Sequence, residues 1–216
     1  MNSSLDQRKL GILAGVILVL GVGIYFAQQA SEKKEQEGKT ALYQIENTFQ
    51  DEEKAIPEAD RTVGVTLDVD AKFPKTVTGL NEMLTAKKAP ERVLYEVGVK
   101  LGTLYLDHNQ ADKAIAAFKH VVANSTSSFQ KASANYLLGV SEERANQFKE
   151  ALETYQVGLK VNVEGLKGEL LLGMVRMSVK LNDKEKAKLY LEKMNKEVAG
   201  SHSAELAAEL VKGNPS

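Results

Sequence analysis

The sequence predicts an all-α protein, with an N-terminal transmembrane helix followed by a solenoid of about three helical hairpins. Three observations carry this. A pattern of glycine, alanine and a large residue recurs at an interval of 37 residues, and an uncharged apolar run of 18 residues lies near the N-terminus. The one β-branched stretch has no partner strand. The chemistry of such a chain is expected on a surface built by stacked helices, not in a cluster of reactive groups.

Composition narrows the classes further. With 216 residues, 43% of them hydrophobic, the chain has enough apolar side chain for a packed core. Its 28 basic and 29 acidic residues nearly cancel, and no Lys/Arg run is interleaved with aromatics, so nucleic acid is not expected as a partner. The absence of cysteine removes disulfides, thiolate metal sites and a cysteine nucleophile, without locating the protein.

Residues 1–9 read as a short tail and residues 10–27, LGILAGVILVLGVGIYFA, as a transmembrane helix. Eighteen helical residues span roughly 27 Å, close to the hydrocarbon thickness of a bilayer. A cleavable signal peptide is the rival reading, but the run exceeds the usual apolar region and YFAQQASE offers no small-x-small cleavage site. Arg8 and Lys9 before the span orient the tail to the cytoplasm and the rest of the chain outside it. Gly11 and Gly15, four apart, are candidates for close contact with another membrane helix, although glycine is common in such helices in any case.

Residues 28–56 lack proline until Pro57, and Leu42, Ile45 and Phe49 recur at helical spacing, so a helical stalk with one apolar face is expected. Residues 57–74, bounded by Pro57 and Pro74, read as an irregular linker in which Asp68 and Asp70 are solvated carboxylates, because the glycine and distal glutamate of a calcium loop are missing. Val77, Leu80, Met83 and Leu84 then mark a short amphipathic helix ending before Pro90. This begins a repeat domain over residues 75–212.

Within that domain Gly102, Ala114 and Phe118 match Gly139, Ala151 and Tyr155, each 37 residues later. A fainter third copy has Ala187 and Leu191, with Val175 at the glycine position and Gly173 slightly early. The joints DHNQADKA, RANQFKEA and LNDKEKA each put turn-prone polar residues before the second helix of a pair. Small residues let the paired helices approach, and the bulky residue fills the gap beneath the next hairpin. A short helix over 203–212, with Leu206 and Leu210, caps the array before the tail 213–216.

Leu101-Gly102-x2-Tyr105 followed by Ala114-x3-Phe118 resembles the tetratricopeptide repeat signature. The second repeat keeps Leu138-Gly139 and Ala151-x3-Tyr155 but carries Glu142 at the tyrosine position, and the tryptophan position is Gly98 and Asn135. The order of span, stalk, offset helix and degenerate repeats is similar to the ancillary Sec-translocon subunit family of the bacterial inner membrane. That resemblance implies single-pass anchoring with periplasmic repeats, and partners among translocon subunits, periplasmic chaperones or secreted chains. Repeats that capture C-terminal carboxylates carry Lys and Asn at the places of Val99 and Thr103, so that clamp is absent.

No Ser-centred elbow, no HExxH and no strand-to-helix glycine loop is present, so neither enzymatic activity nor a cofactor or metal is expected. His108 in a turn, His120 on a polar helix side and His202 near the end are too dispersed for a ligand set and are expected to be solvated. The repeat alignment puts Val99, Thr103, Leu106, Tyr136, Val140, Glu143, Leu172 and Arg176 along a protein-binding groove, each with packing between helices as the competing role. Met174 and Met177 are expected to fill the irregular third repeat, or else to form an adaptable surface. The reading is an interaction scaffold, a homo-oligomer being possible; its alternatives are a structural subunit of another envelope assembly and an organellar import receptor with cytosolic repeats.

Overall fold

The computed structural model of the chain describes residues 3–86 and 89–213, with side chains described at residue 20 and from residue 22 onward. Every regular element among them is helical. The first, α1 (Ser3–Lys54), is a single helix of 52 residues, uninterrupted because no proline occurs before Pro57. Its end is closed by Arg61, whose Nη2 donates to the Lys54 carbonyl at 3.0 Å and whose Nε donates to that of Ile56 at 2.8 Å.

Among the described residues no helix is long and apolar enough to cross a membrane. Of the run expected to do so, residues 10–27, side chains are described only at residues 20 and 22–27, and those of the tail 1–9 and the positions of Gly11 and Gly15 lie outside the described ones. What is described of it is an apolar surface without cover: Leu20, Val22, Ile24, Tyr25 and Phe26 are each between 46% and 62% exposed.

The segment 57–74, expected as a linker, is instead folded into the core. Leu67, Val69 and Phe73 are buried, the last two inside α2 (Val69–Lys72) and at its C-terminal boundary. Phe73 stacks between Phe49 of α1 and His108, at centroid distances of 5.0 and 5.9 Å. His108, expected in solvent, is only 6% exposed, and its Nδ1 lies 3.1 Å from the Val65 carbonyl, which fixes the proton on that nitrogen. Gly64 at φ +92° turns the segment so that its N–H reaches the Asp107 carbonyl at 2.7 Å, and Gln110 Nε2 donates to the Leu67 carbonyl. Asp70, expected to be solvated, accepts from Tyr105 at 2.6 Å and from Lys113 at 2.7 Å. These side-chain and backbone bonds strap the segment across the first hairpin turn.

α3 (Pro74–Ala86) starts on a proline and is capped from a distance: the Glu52 carboxylate of α1 accepts from the backbone of Lys75 and Thr76 and from the Thr76 hydroxyl, at 2.7 to 3.1 Å. The last turns of α1 therefore pair with α3. Three helical hairpins follow: α4 (Glu91–Asp107) with α5 (Ala111–Asn124), α6 (Ser128–Arg144) with α7 (Phe148–Lys160), and α8 (Lys167–Lys180) with α9 (Lys184–Glu197). α10 (His202–Lys212) closes the stack against α8 and α9.

Each hairpin turns on one asparagine. Asn109, Asn146 and Asn182 sit at φ 57–60°, a left-handed conformation that asparagine tolerates better than other residues carrying a Cβ. The next amide bonds back to the carbonyl five residues before it, in Gln110 to Tyr105, Gln147 to Glu142 and Asp183 to Ser178. This is the Schellman closure of a helix C-terminus, and it reverses the chain three times in the same way.

The repeated glycines make room for rings. A Cβ on Gly102 would lie 2.6 Å from Phe118, and one on Gly139 would lie 2.5 Å from Tyr155. Tyr155, fully buried, is also met from the other side by Gly173, where a Cβ would come within 2.6 Å of the same ring. Gly173 thus works for the neighbouring hairpin, which explains its offset from the Val175 register. At the two positions where the repeat signature has tryptophan, Gly98 faces Val121, and Asn135 faces Gly158. In each case a small residue lies opposite a larger one, so the gap is closed from the other helix. Met174 and Met177 are buried and fill the third hairpin.

Candidate functional site

First helices of successive hairpins touch directly, α4 with α6, α6 with α8 and α8 with α10, whereas α5, α7 and α9 make no comparable contact with one another. The first helices therefore share one side of the stack, called here its inner face. Of the eight residues expected there, Val99, Thr103, Tyr136, Val140, Glu143 and Arg176 are partly exposed. Leu106, at 6% exposure, is a correction: it belongs to the core around Phe73 and Phe118, and its carbonyl is covered by Arg144, which donates to it at 2.8 Å. Leu172 is equally buried by area, yet it forms the floor of a cleft and so keeps its place on this face.

That cleft, of about 720 Å³, lies between α8 and α10. Leu172, Val179, Leu206 and Leu210 make it apolar, and Arg176, Lys180 and Glu209 stand at its rim. α10 is thus a wall of the surface and not only a cap, a role its Leu206–Leu210 spacing did not reveal because the same spacing serves to close an array. Ser203 fixes α10 to α8 by donating to Glu169 at 2.6 Å.

The polar centre of the face is a forked ion pair between hairpins two and three. Arg176 Nε and Nη2 donate to Glu143 Oε1 and Oε2, both at 2.6 Å. The Tyr155 hydroxyl donates to Glu143 Oε2 at 3.3 Å, linking the pair to the buried ring between the glycines. Burial, and then the neighbouring Glu143 charge, push the Tyr155 phenol well above its ordinary range. Tyr136 stands 6.2 Å from that ring, and burial and the Glu169 charge raise its phenol also. Both tyrosines therefore remain neutral donors across the physiological range, beside a pair whose charges are already matched.

This arrangement can hold a polypeptide through apolar contact and a few oriented hydrogen bonds. Among the described residues no cluster of His, Asp and Glu has metal-binding geometry. The three histidines lie apart: His108 within the aromatic stack, His120 half-buried on α5, and His202 exposed at the first position of α10, 3.9 Å from Glu205. The chain matches no protein-family model and no curated protein.

Proposed function

We propose that the chain is a non-catalytic, membrane-anchored scaffold of the tetratricopeptide type, docking other proteins on its inner helical face outside the cytosol. The observation that carries the reading is the face itself: Tyr136, Val140, Leu172, Leu206 and Leu210 supply apolar surface, and its central charges neutralise each other. Such a surface favours extended or helical segments with large apolar side chains over charged ligands. The uncovered apolar residues from Leu20 to Phe26 support the anchor, being where the charge-free run from Leu10 meets the described side chains. The likeness of the whole order of segments to ancillary Sec-translocon subunits supports a place beside the translocon of a bacterial inner membrane. There the partners are translocon subunits, periplasmic chaperones or emerging secreted chains.

The test is crosslinking in intact membranes from a photo-reactive phenylalanine at Tyr136, with the same probe at exposed Lys149 as control. Adducts with translocon subunits, chaperones or nascent secreted chains at Tyr136 alone are the expected result. Adducts confined to cytosolic proteins, or equal labelling from both positions, would overturn it.

A further inference from the structure

Glu142 and Glu143 are neighbours on the last turn of α6 but point to opposite sides. Glu143 lies on the inner face, paired with Arg176. Glu142 is 3% exposed, and its Oε2 has no hydrogen-bond partner among the described residues. It occupies the position that Tyr105 holds in the preceding hairpin, where the phenol reaches Asp70. A buried carboxylate oxygen without a partner costs far more when the group is ionised than when it is protonated. The same residue's backbone carbonyl accepts the Gln147 amide at 2.8 Å, the bond that closes the α6–α7 turn.

We infer that the last turn of α6 is a proton-controlled latch, closed while Glu142 is neutral and loosened when it ionises, and that it carries the Glu143–Arg176 pair of the inner face with it. The consequence for docking rests on the reading of that face given above; the latch itself does not. The groups facing Glu142 are Thr154, Glu150 and Glu153 from α7 and Lys119 from α5. Burial raises the carboxyl; the Thr154 hydrogen bond and the Lys119 charge oppose this, and Glu150 and Glu153 add to it, leaving a net upward shift.

The sign follows from that shift. Between the unfolded value of about 4.3 and the higher folded one, the closed turn binds a proton that the open turn releases. The proton's contribution to closure is then fully present below this window and is lost as pH rises through it.

Hydrogen exchange of the Ala145, Asn146 and Gln147 amides in the full chain, corrected for intrinsic rates, measures the opening. In the wild type the opening constant is expected to rise up to about tenfold per pH unit within the window. In Glu142→Gln and Glu142→Met it is expected to be flat, and in Glu143→Gln the wild-type slope is expected to persist. A flat wild-type profile, a slope retained in both Glu142 variants, or its loss in Glu143→Gln would overturn the latch. Crosslinks from Tyr136 have no bearing on these outcomes, so the two readings fail separately.

Discussion

Replacing Gly173 with alanine tests whether one aromatic ring joins the second and third hairpins. An added Cβ would lie 2.6 Å from Tyr155 Cε2 and 2.8 Å from Cδ2 and Cζ, all atoms of one rigid ring. The ring has little room to withdraw, because the Gly139 backbone lies on its other side, so close that a Cβ added there would also come within 2.5 Å of the ring. Overpacking of this kind costs up to about 3 kcal/mol, while alanine in a helix interior gains about 1 kcal/mol over glycine. The net expectation is a loss of about 2 kcal/mol, which lowers Tm by roughly 4–8 °C for a chain of this size. In a Tyr155→Ala background, itself destabilised by about 3–5 kcal/mol, the clash is gone and the same glycine substitution becomes stabilising by about 1 kcal/mol. Thermal unfolding of the four proteins, followed by circular dichroism, closes the cycle with a coupling of about 3 kcal/mol. A Gly173→Ala protein as stable as the wild type, or a coupling near zero, would refute the account of how these hairpins meet.

Two further outcomes follow from the turns and the strap. Asn146→Ala is expected to cost about 1 kcal/mol by placing a Cβ without local hydrogen bonding at φ 60°, whereas Asn146→Gly is expected to stay within a few tenths; urea midpoints compare them. Burial pushes the Asp70 carboxyl up, but hydrogen bonds from Lys113 and Tyr105 outweigh it and hold it below the usual carboxylate value. The stability this contributes is present above the unfolded value of about 3.9 and fades as pH falls through the lower folded one. Asp70→Asn is accordingly less stable than wild type at neutral pH, with the gap narrowing in acid, as Tm against pH would read.

The hairpins were legible because three devices recur together: a glycine, a ring sixteen residues later and a polar joint. The asparagines at 109, 146 and 182 were a further signal inside those joints, at nearly the same interval, and they mark the turns to the residue. The strap was not legible. Leu67, Val69 and Phe73 follow neither a helical nor a strand period, since they fill holes between other elements, and the prolines on either side argued for a loop. His108 was misread for the same reason: its burial comes from that strap and not from its own helix. On the inner face the register was readable for Tyr136, Glu143 and Arg176, but the fork that joins the last two was not, because it depends on the 34-residue offset of Gly173 bringing α8 up to α6. Glu142 carried a signal in standing where the signature has tyrosine, but its burial was not legible, as a glutamate in a helix ordinarily faces solvent.

α1 passes without a break from its uncovered apolar end into the stack. Between Phe26 and Gly38, the first buried residue on it among the described side chains, the axis advances about 18 Å at 1.5 Å per residue. Were the apolar end anchored, a flexible tether would let the inner face sweep a hemisphere, whereas a continuous helix would act as a gauge block, holding that face at one height and one tilt. With its apolar end in a bilayer, the protein would search for partners by lateral diffusion and by spinning about a single axis. Selection would then be partly by altitude: a binding segment displayed at another level of the membrane surface would never meet the cleft, however well its side chains fit.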